Sequence, residues 1–333
     1  MPPKHHQLRP SLPLKRRFNI NLNTKLHNSS YCFIMSEIKS VAVAGASGNV
    51  GPHVLKALGD AKFQVTVLTR SKKPGAYDSS VRVIEVDFTS VESLTAALQG
   101  IDALVSTVSS TAIENQTILI DAAIAAGVKR FIPSEYGNCT TNPKLESFPV
   151  YSSMTKVRQY VQEKAKAGNI TWTVLASGGF LDFLFAKPIL FDFANHKVTL
   201  YDGGDNRMSS TSLPNIGKAI AGILENSAAT KNKIVRTSEI ILTQNKILSI
   251  AQGLRPDIKW EVSTAQTSAI LKEGLDGVSA GDFSMPTVMK IIISTALAGD
   301  VYGCAYDETD NELLGIKELT EEDFKKLVAE RLG

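Results

Sequence analysis

Between a run of small and β-branched residues, Ser40-Val41-Ala42-Val43-Ala44, and a stretch of helical periodicity, the chain places Gly45-Ala46-Ser47-Gly48-Asn49-Val50-Gly51. Three glycines at a fixed spacing of three, in the first strand-to-helix turn, narrow the choice of fold sharply. Gly45 permits a tight turn, Gly48 lets the backbone approach a pyrophosphate, and Gly51 lets a helix pack closely on the strand. A phosphate cradled by Ser47, Gly48, Asn49 and Val50 would sit at a helix N-terminus, where free N–H groups and the helix dipole favour an anion. A purely structural Gly-rich turn is the plain alternative, and it leaves the regular spacing unaccounted for.

After Glu37, short β-branched runs alternate with helical periodicity, the pattern of βαβ units and a parallel sheet covered on both faces. Strands are expected over 39–44, 63–69, 81–86, 103–107, 130–133 and 171–176, and helices over 49–59, 90–98, 113–126 and 151–166. The implied class is α/β: a Rossmann-type doubly wound parallel sheet with a smaller C-terminal α/β substrate domain. Residues 37–178 read as the NAD(P)-binding domain, with strand and helix contributions continuing later in the chain, and 179–333 as the smaller substrate-binding region. There, helices over 214–224, 244–252, 267–274 and 321–332 are interleaved with strands over 197–201 and 259–263.

Composition bounds what such a fold does. The 333 residues are 43% hydrophobic and 21% charged, enough for a sizeable core. The formal charge of +3 is unevenly spread: Lys4, Arg9, Lys15, Arg16, Arg17 and Lys25 stand in an opening segment without Asp or Glu. Removing those six from the 36 basic residues leaves 30 against 33 acidic ones, so the rest of the chain carries about −3. A nucleic-acid partner is therefore not expected. Residues 1–36 read as a disordered basic extension; a mitochondrial presequence is the alternative to a cytoplasmic protein, opposed by Pro2, Pro3, Pro10 and Pro13. Met35 is a second candidate start. No run of about 20 apolar residues suggests a membrane span. Cys32, Cys139 and Cys304 are few, odd in number and far apart, which fits a reducing compartment and no metal site.

The end of the second strand decides between cofactors. An acidic residue there would bind the ribose 2′-hydroxyl of NAD, whereas a basic one suits the 2′-phosphate of NADP. Here Thr69-Arg70-Ser71-Lys72-Lys73 contains no carboxylate, which selects NADP(H), with Arg70 the main partner and Lys73 a second. The planar guanidinium suits a phosphate better than a point charge does. An exposed basic turn is the alternative reading.

The glycine loop, followed by Gly127-Val128-Lys129-Arg130-Phe131-Ile132-Pro133-Ser134-Glu135-Tyr136-Gly137, resembles the isoflavone reductase-like (NmrA-like) family of atypical short-chain dehydrogenases. The segments Val198-Thr199-Leu200-Tyr201-Asp202-Gly203-Gly204 and Asp310-Asn311-Glu312-Leu313-Leu314-Gly315 look like its fungal branch, and the likeness runs from about Ile38 to the C-terminus. The resemblance implies a Rossmann domain that binds NADPH and reduction of small, aromatic or other secondary metabolites by hydride transfer. By the same analogy, Asp87 would lie near the adenine, Ser106 and Thr107 would line the cofactor path, and Phe180 would face the nicotinamide or the substrate. Asp87 equally suits a helix cap.

Family reductases carry a lysine on the helix after the Pro-Ser-Glu segment, four places before the Arg of a Val-Arg pair. Counting back from Arg158 lands on Met154. Lys156 is two positions on, and two positions along a helix turn a side chain by about 200° to nearly the opposite face. The Tyr-x-x-x-Lys pair of other short-chain dehydrogenases is also incomplete, since Tyr151 is followed four places later by Thr155. Tyr151 and Ser134 remain as candidate proton donors; the alternative for each is a hydroxyl bonded to nearby chain.

Two readings follow. One is an NADPH-dependent oxidoreductase acting on a small aromatic or polyketide-like metabolite, with Met154 and Phe180 beside the substrate. The other is a non-catalytic NADP(H)-sensing regulator that binds a protein partner, suggested by Met154 in place of the lysine.

Overall fold

The computed structural model describes residues 38–332 apart from Asn138 and Lys187; the extension expected over 1–36 lies outside the described residues. The chain opens with β1 (Ser40–Ala44), α1 (Gly51–Asp60), β2 (Gln64–Thr69), β3 (Arg82–Glu85), α2 (Val91–Ala97), β4 (Ala103–Ser106), α3 (Gln116–Ala125), β5 (Arg130–Ile132), α4 (Pro149–Lys166) and β6 (Thr171–Ala176). It continues through β7 (Gly179–Phe180), α5 (Leu181–Ala186), β8 (Phe191–Asp192), β9 (Lys197–Tyr201), β10 (Met208–Thr211), α6 (Leu213–Glu225), β11 (Lys233–Arg236) and β12 (Ile240–Leu242). The remaining elements are α7 (Gln244–Leu254), β13 (Glu261–Ala265), α8 (Thr267–Ser279), α9 (Met285–Ala296), α10 (Asn311–Leu314) and α11 (Glu321–Leu332).

A seven-stranded sheet runs in the order β11-β6-β5-β4-β1-β2-β3, and all its pairings are parallel. Its seventh strand and α6 come from the region read as substrate-binding, so the sheet continues beyond residue 178 as the expected later contributions require. Strands buried on both faces need apolar residues throughout, and β1 and β4 are buried almost end to end. Val54 and Leu58 of α1 pack with Ile216, Ile220 and Ile223 of α6 on one face. On the other, Leu94 of α2, Leu119 and Ile120 of α3, and Val157 and Val161 of α4 form the second core. Each such side chain contributes about 1.5–3 kcal/mol by leaving water.

Arg130 of β5 is buried, and no carboxylate pairs with it among the described residues. Its guanidinium donates to Thr171 and Thr173 Oγ1 at 2.8 Å, to Thr230 Oγ1 at 3.2 Å and to the Ser227 carbonyl at 2.7 Å. Burial pulls its pKa down to about 10.

Two small sheets, β12-β10-β7 and β13-β9-β8, build the rest with α7 to α9 and α11. Here the sequence expectations need correction. The strand expected over 259–263 lies at β13, two residues later, because Trp260 is buried and pairing begins with Glu261 N–H donating to the His196 carbonyl. The helix expected to stop at 274 runs on to Ser279, since packing against α9 offsets the cost of Gly274, about 1 kcal/mol. Strand β10 is fully buried although its sequence is Met-Ser-Ser-Thr, which carries no apolar alternation.

Candidate functional site

In a sheet of this topology a ligand crevice opens at the carboxyl ends of the strands where the order reverses, here between β1 and β4. The loop after β1 lies there. Gly45 has φ +86°, a conformation that side chains rarely adopt, and a Cβ on it would stand 2.6 Å from the Thr107 carbonyl carbon. A Cβ on Gly51 would stand 2.4 Å from the Ala46 carbonyl oxygen. These two glycines are thus required by the close passage of backbone on backbone. Ser47, Gly48 and Asn49 between them are exposed, while α1 begins without a side-chain cap and with Pro52 near its start. That arrangement leaves first-turn N–H groups free for an anion.

A cleft of about 600 Å³ runs from this loop. One end is bounded by Arg70, Ser71, Lys73, Tyr77, Phe88 and Thr89, the other by Thr107, Val108, Ser109, Thr111, Ala112 and Asn115. The structure therefore gathers Gly45, Ser47, Gly48, Arg70, Lys73 and Thr107 around one space. Arg70 and Lys73 are exposed, and neither forms an ion pair among the described residues. The turn that carries them is pinned: Thr69 Oγ1 donates to the Ser71 carbonyl at 3.0 Å, and the Lys72 N–H donates to Glu85 Oε2 at 3.1 Å. This space matches a dinucleotide in its donor set, with a backbone cradle at the middle and two cations at one end.

Other expected residues lie elsewhere. Val50 and Gly51 turn inward and Asn49 stands outside the cleft lining. Ser106 is fully buried; it lies below the cleft, where its carbonyl accepts the Tyr136 hydroxyl at 2.7 Å, so it does not line the cofactor path. Asp87 flanks Arg70, Phe88 and Thr89 in an adjoining hollow of about 540 Å³. Its carboxylate accepts from the Thr89 hydroxyl and N–H at 2.7 and 2.8 Å, which hold its pKa below the usual value. The cap of α2 is Ser90, whose hydroxyl accepts the Ser93 N–H, so Asp87 shapes a turn and does not cap the helix.

The two expected proton donors are both committed. Tyr151 is buried between α4 and α9, away from the cleft lining, with its hydroxyl 2.7 Å from Thr295 Oγ1. Thr295 Oγ1 donates to the Ile291 carbonyl at 2.8 Å, so the phenol is the donor of the Tyr151–Thr295 bond. Burial pushes its pKa well above that of a free tyrosine, the wrong direction for an acid. Ser134 donates its hydroxyl to the Val108 carbonyl at 2.8 Å, one contact behind the cleft wall, and its N–H goes to Gln116 Oε1 at 2.7 Å.

Met154 is half-buried and packs both on the α2–α4 core and on the cluster between α4, α8 and α9. Lys156 is a surface lysine, 69% exposed and 3.7 Å from the Glu114 carboxylate. Phe180 does not line the cleft; it packs edge-on against Phe183 beside the α1–α6 core, while Phe185 belongs to the core of the small sheets. Among the described residues no group of three or more His, Cys, Asp and Glu is placed to hold a metal, and no helix is long and apolar enough to cross a membrane.

Sequence reasoning stopped at Thr107 and so missed Ser109, Thr111 and Asn115, although the crevice rule points to residues just past a strand end. Tyr77 carried no signal, because it comes from the connection between β2 and β3, which lacks a helix. Among the cleft-lining residues the ionisable side chains are Arg70, Lys73 and Tyr77, all at one end. The opposite end offers hydroxyls and a carboxamide.

Comparison with known proteins places this geometry. The sequence model of the NmrA-like family matches residues 37–254. Oxidoreductase poxI of Penicillium oxalicum is 31% identical over 283 residues, which cover 82% of this chain and 88% of poxI. Among solved structures, isoflavone reductase superposes with a TM-score of 0.69 at 18% identity, covering 86% of this chain and 98% of that one. The binary complex of leucoanthocyanidin reductase with NADPH from Vitis vinifera gives 0.66 at 21% identity, covering 88% and 99%. Both structures share the fold, and the chain belongs to the NmrA-like family.

Proposed function

We propose that this chain is an NADPH-dependent oxidoreductase of a small, aromatic secondary metabolite. The observation that carries the reading is the placement of Arg70 and Lys73 at one end of the cleft that the Gly45–Gly51 loop opens. The exposed Ser47–Asn49 backbone and the start of α1 would hold the pyrophosphate, and Arg70 with Lys73 the 2′-phosphate. When bound, NADPH supplies a hydride to an electrophilic carbon. Thr107, whose hydroxyl donates to the Ala44 carbonyl at 3.0 Å, would line the cofactor path, and Ser109, Thr111 and Asn115 would offer hydrogen bonds beyond it, with apolar contact from Val108 and Ala112. With Tyr151 and Ser134 engaged elsewhere, the proton comes from solvent or from the substrate's own hydroxyl. The name of the relative poxI supports an oxidoreductase, and isoflavone reductase and leucoanthocyanidin reductase, by their names, act on small aromatic molecules.

The test is direct. Purified protein is titrated with NADPH and NADH, then incubated with NADPH and a panel of aromatic enones and ketones while nicotinamide absorbance is followed. Turnover of at least one substrate is expected. Tight binding of both NADP⁺ and NADPH with turnover of none would instead favour a dinucleotide-sensing regulator that docks on a protein partner. Met154, apolar and packed where family reductases carry lysine, is the observation behind that second reading. Met154→Lys separates the two: a gain in turnover means that the cleft is arranged for chemistry.

A further inference from the structure

We propose that Cys139 and Cys304 form an oxidisable dithiol, whose sulfurs join in a disulfide under hydroperoxide and staple the segment after β5 to the turn that precedes Cys304. Both cysteines are free and buried. They converge on one atom: the Cys139 and Cys304 sulfurs lie 3.9 and 3.3 Å from the carbonyl oxygen of Thr295 in α9. The flanking chain segments run side by side. Asn142 Nδ2 donates to the Tyr302 carbonyl at 2.8 Å and Lys144 Nζ to the Val301 carbonyl at 3.0 Å. A bond between the sulfurs would therefore join two segments that already run side by side.

Buried thiols are inert while the turn covers them, since attack needs an accessible thiolate. Cys304 is fully buried, but the turn before it is exposed. Val301 is 53% exposed and Gly303 is exposed, so the turn lies at the surface, held on the segment after β5 by the two hydrogen bonds above. Local opening of such a turn exposes one sulfur without unfolding the sheet. The exposed thiolate attacks a peroxide oxygen; the O–O bond breaks, and the leaving oxygen takes a proton as water, which leaves a sulfenic acid. When the turn recloses, the second thiol attacks that sulfur, the S–O bond breaks and a second water departs with the thiol proton. Two thiols and one hydrogen peroxide thus give one disulfide and two waters, the two electrons passing from sulfur to peroxide.

The experiment uses the full chain with Cys32→Ser, so that only these two thiols remain, and hydrogen peroxide as the probe. The expected product has lost two hydrogens by intact mass and yields a linked Cys139–Cys304 peptide on non-reducing digestion. Its melting temperature rises on the order of 5 °C, and dithiothreitol reverses all three changes. Asn142→Ala, which removes one bond holding the turn, should speed the reaction several-fold without changing its product. Accumulation of sulfinic acid with no linked peptide, in the parent and in Asn142→Ala alike, would overturn the proposal, and so would failure of both to react.

Discussion

At the nucleotide end of the cleft, neighbours in space are neighbours in sequence: Gly45 to Gly48 form one wall and Thr69 to Lys73 another. At the corner where a proton donor was expected, Ser134 after β5, Tyr151 and Met154 on α4, and Phe180 in β7 meet different partners. The contrast has a physical origin. A phosphate is held largely by backbone N–H groups and a few cations, so a short motif fixes its site. Proton transfer needs one hydroxyl aimed within about 3 Å of a reacting atom, and that aim depends on how distant helices pack.

The strongest way to test the first half of that contrast is Gly45→Ala. The substitution puts a Cβ 2.6 Å from Thr107 backbone at a φ of +86°. Strain and overpacking together should cost roughly 3–5 kcal/mol of stability, measured by urea unfolding, with loss of NADPH binding. A cost below about 1 kcal/mol with binding intact would mean that the loop is not set by this contact.

A second test probes the segment that carries Ser134. Its neighbour Glu135 is buried against Arg158, whose other nitrogen lies 3.1 Å from Glu146. Burial pushes the Glu135 carboxyl up to about 7, and one guanidinium shared by two carboxylates only partly opposes this. The folded chain thus holds this proton more tightly than the unfolded chain does. The stabilisation is full below the unfolded value near 4.5 and is lost as pH rises through about 7. Unfolding free energy should fall by on the order of 2–3 kcal/mol across that window, and Glu135→Gln should flatten the profile. An unchanged slope in that variant would assign the titration elsewhere.

Arg70→Ala tests cofactor choice. A charge-assisted contact contributes roughly 1.5–3 kcal/mol, so NADPH should bind ten- to a hundredfold more weakly while NADH is nearly unaffected. Equal losses for both would remove the 2′-phosphate assignment and with it the clearest feature of the nucleotide end.

What the sequence made legible follows the same division. Periodicity located six of the seven strands of the large sheet to within about two residues, because strands buried on both faces must be apolar; it gave no sign of β11, a half-exposed edge strand. The tight turn at Gly45 and the place of Arg70 on the cleft were legible because each follows directly on a strand end. Ser106 was expected on the cofactor path; it is fully buried, and the partner of its carbonyl, the Tyr136 hydroxyl, stands 30 positions away. Strand β10 was invisible because Ser209, Ser210 and Thr211 are buried through hydrogen bonds and contacts that only the fold supplies. Tyr151 looked available because its partner Thr295 stands 144 positions away.

Tyr151→Phe is the smallest expected effect and the sharpest test of the second half. Its hydroxyl donates to Thr295, the ring fills a cluster with Leu145, Val278 and Ile291, and nothing of it lines the cleft. Phenylalanine keeps the ring and leaves Thr295 Oγ1 bonded to the Ile291 carbonyl, so no buried donor is stranded. The change should therefore cost about 1 kcal/mol of stability, the net value of one hydrogen bond, and leave kcat on any active substrate within about twofold. A general acid removed in the same way costs roughly a hundredfold or more. A fall of that size would mean that α9 moves on substrate binding and releases the phenol to the cleft, and the contrast drawn between the two ends would then hold only for the unliganded chain.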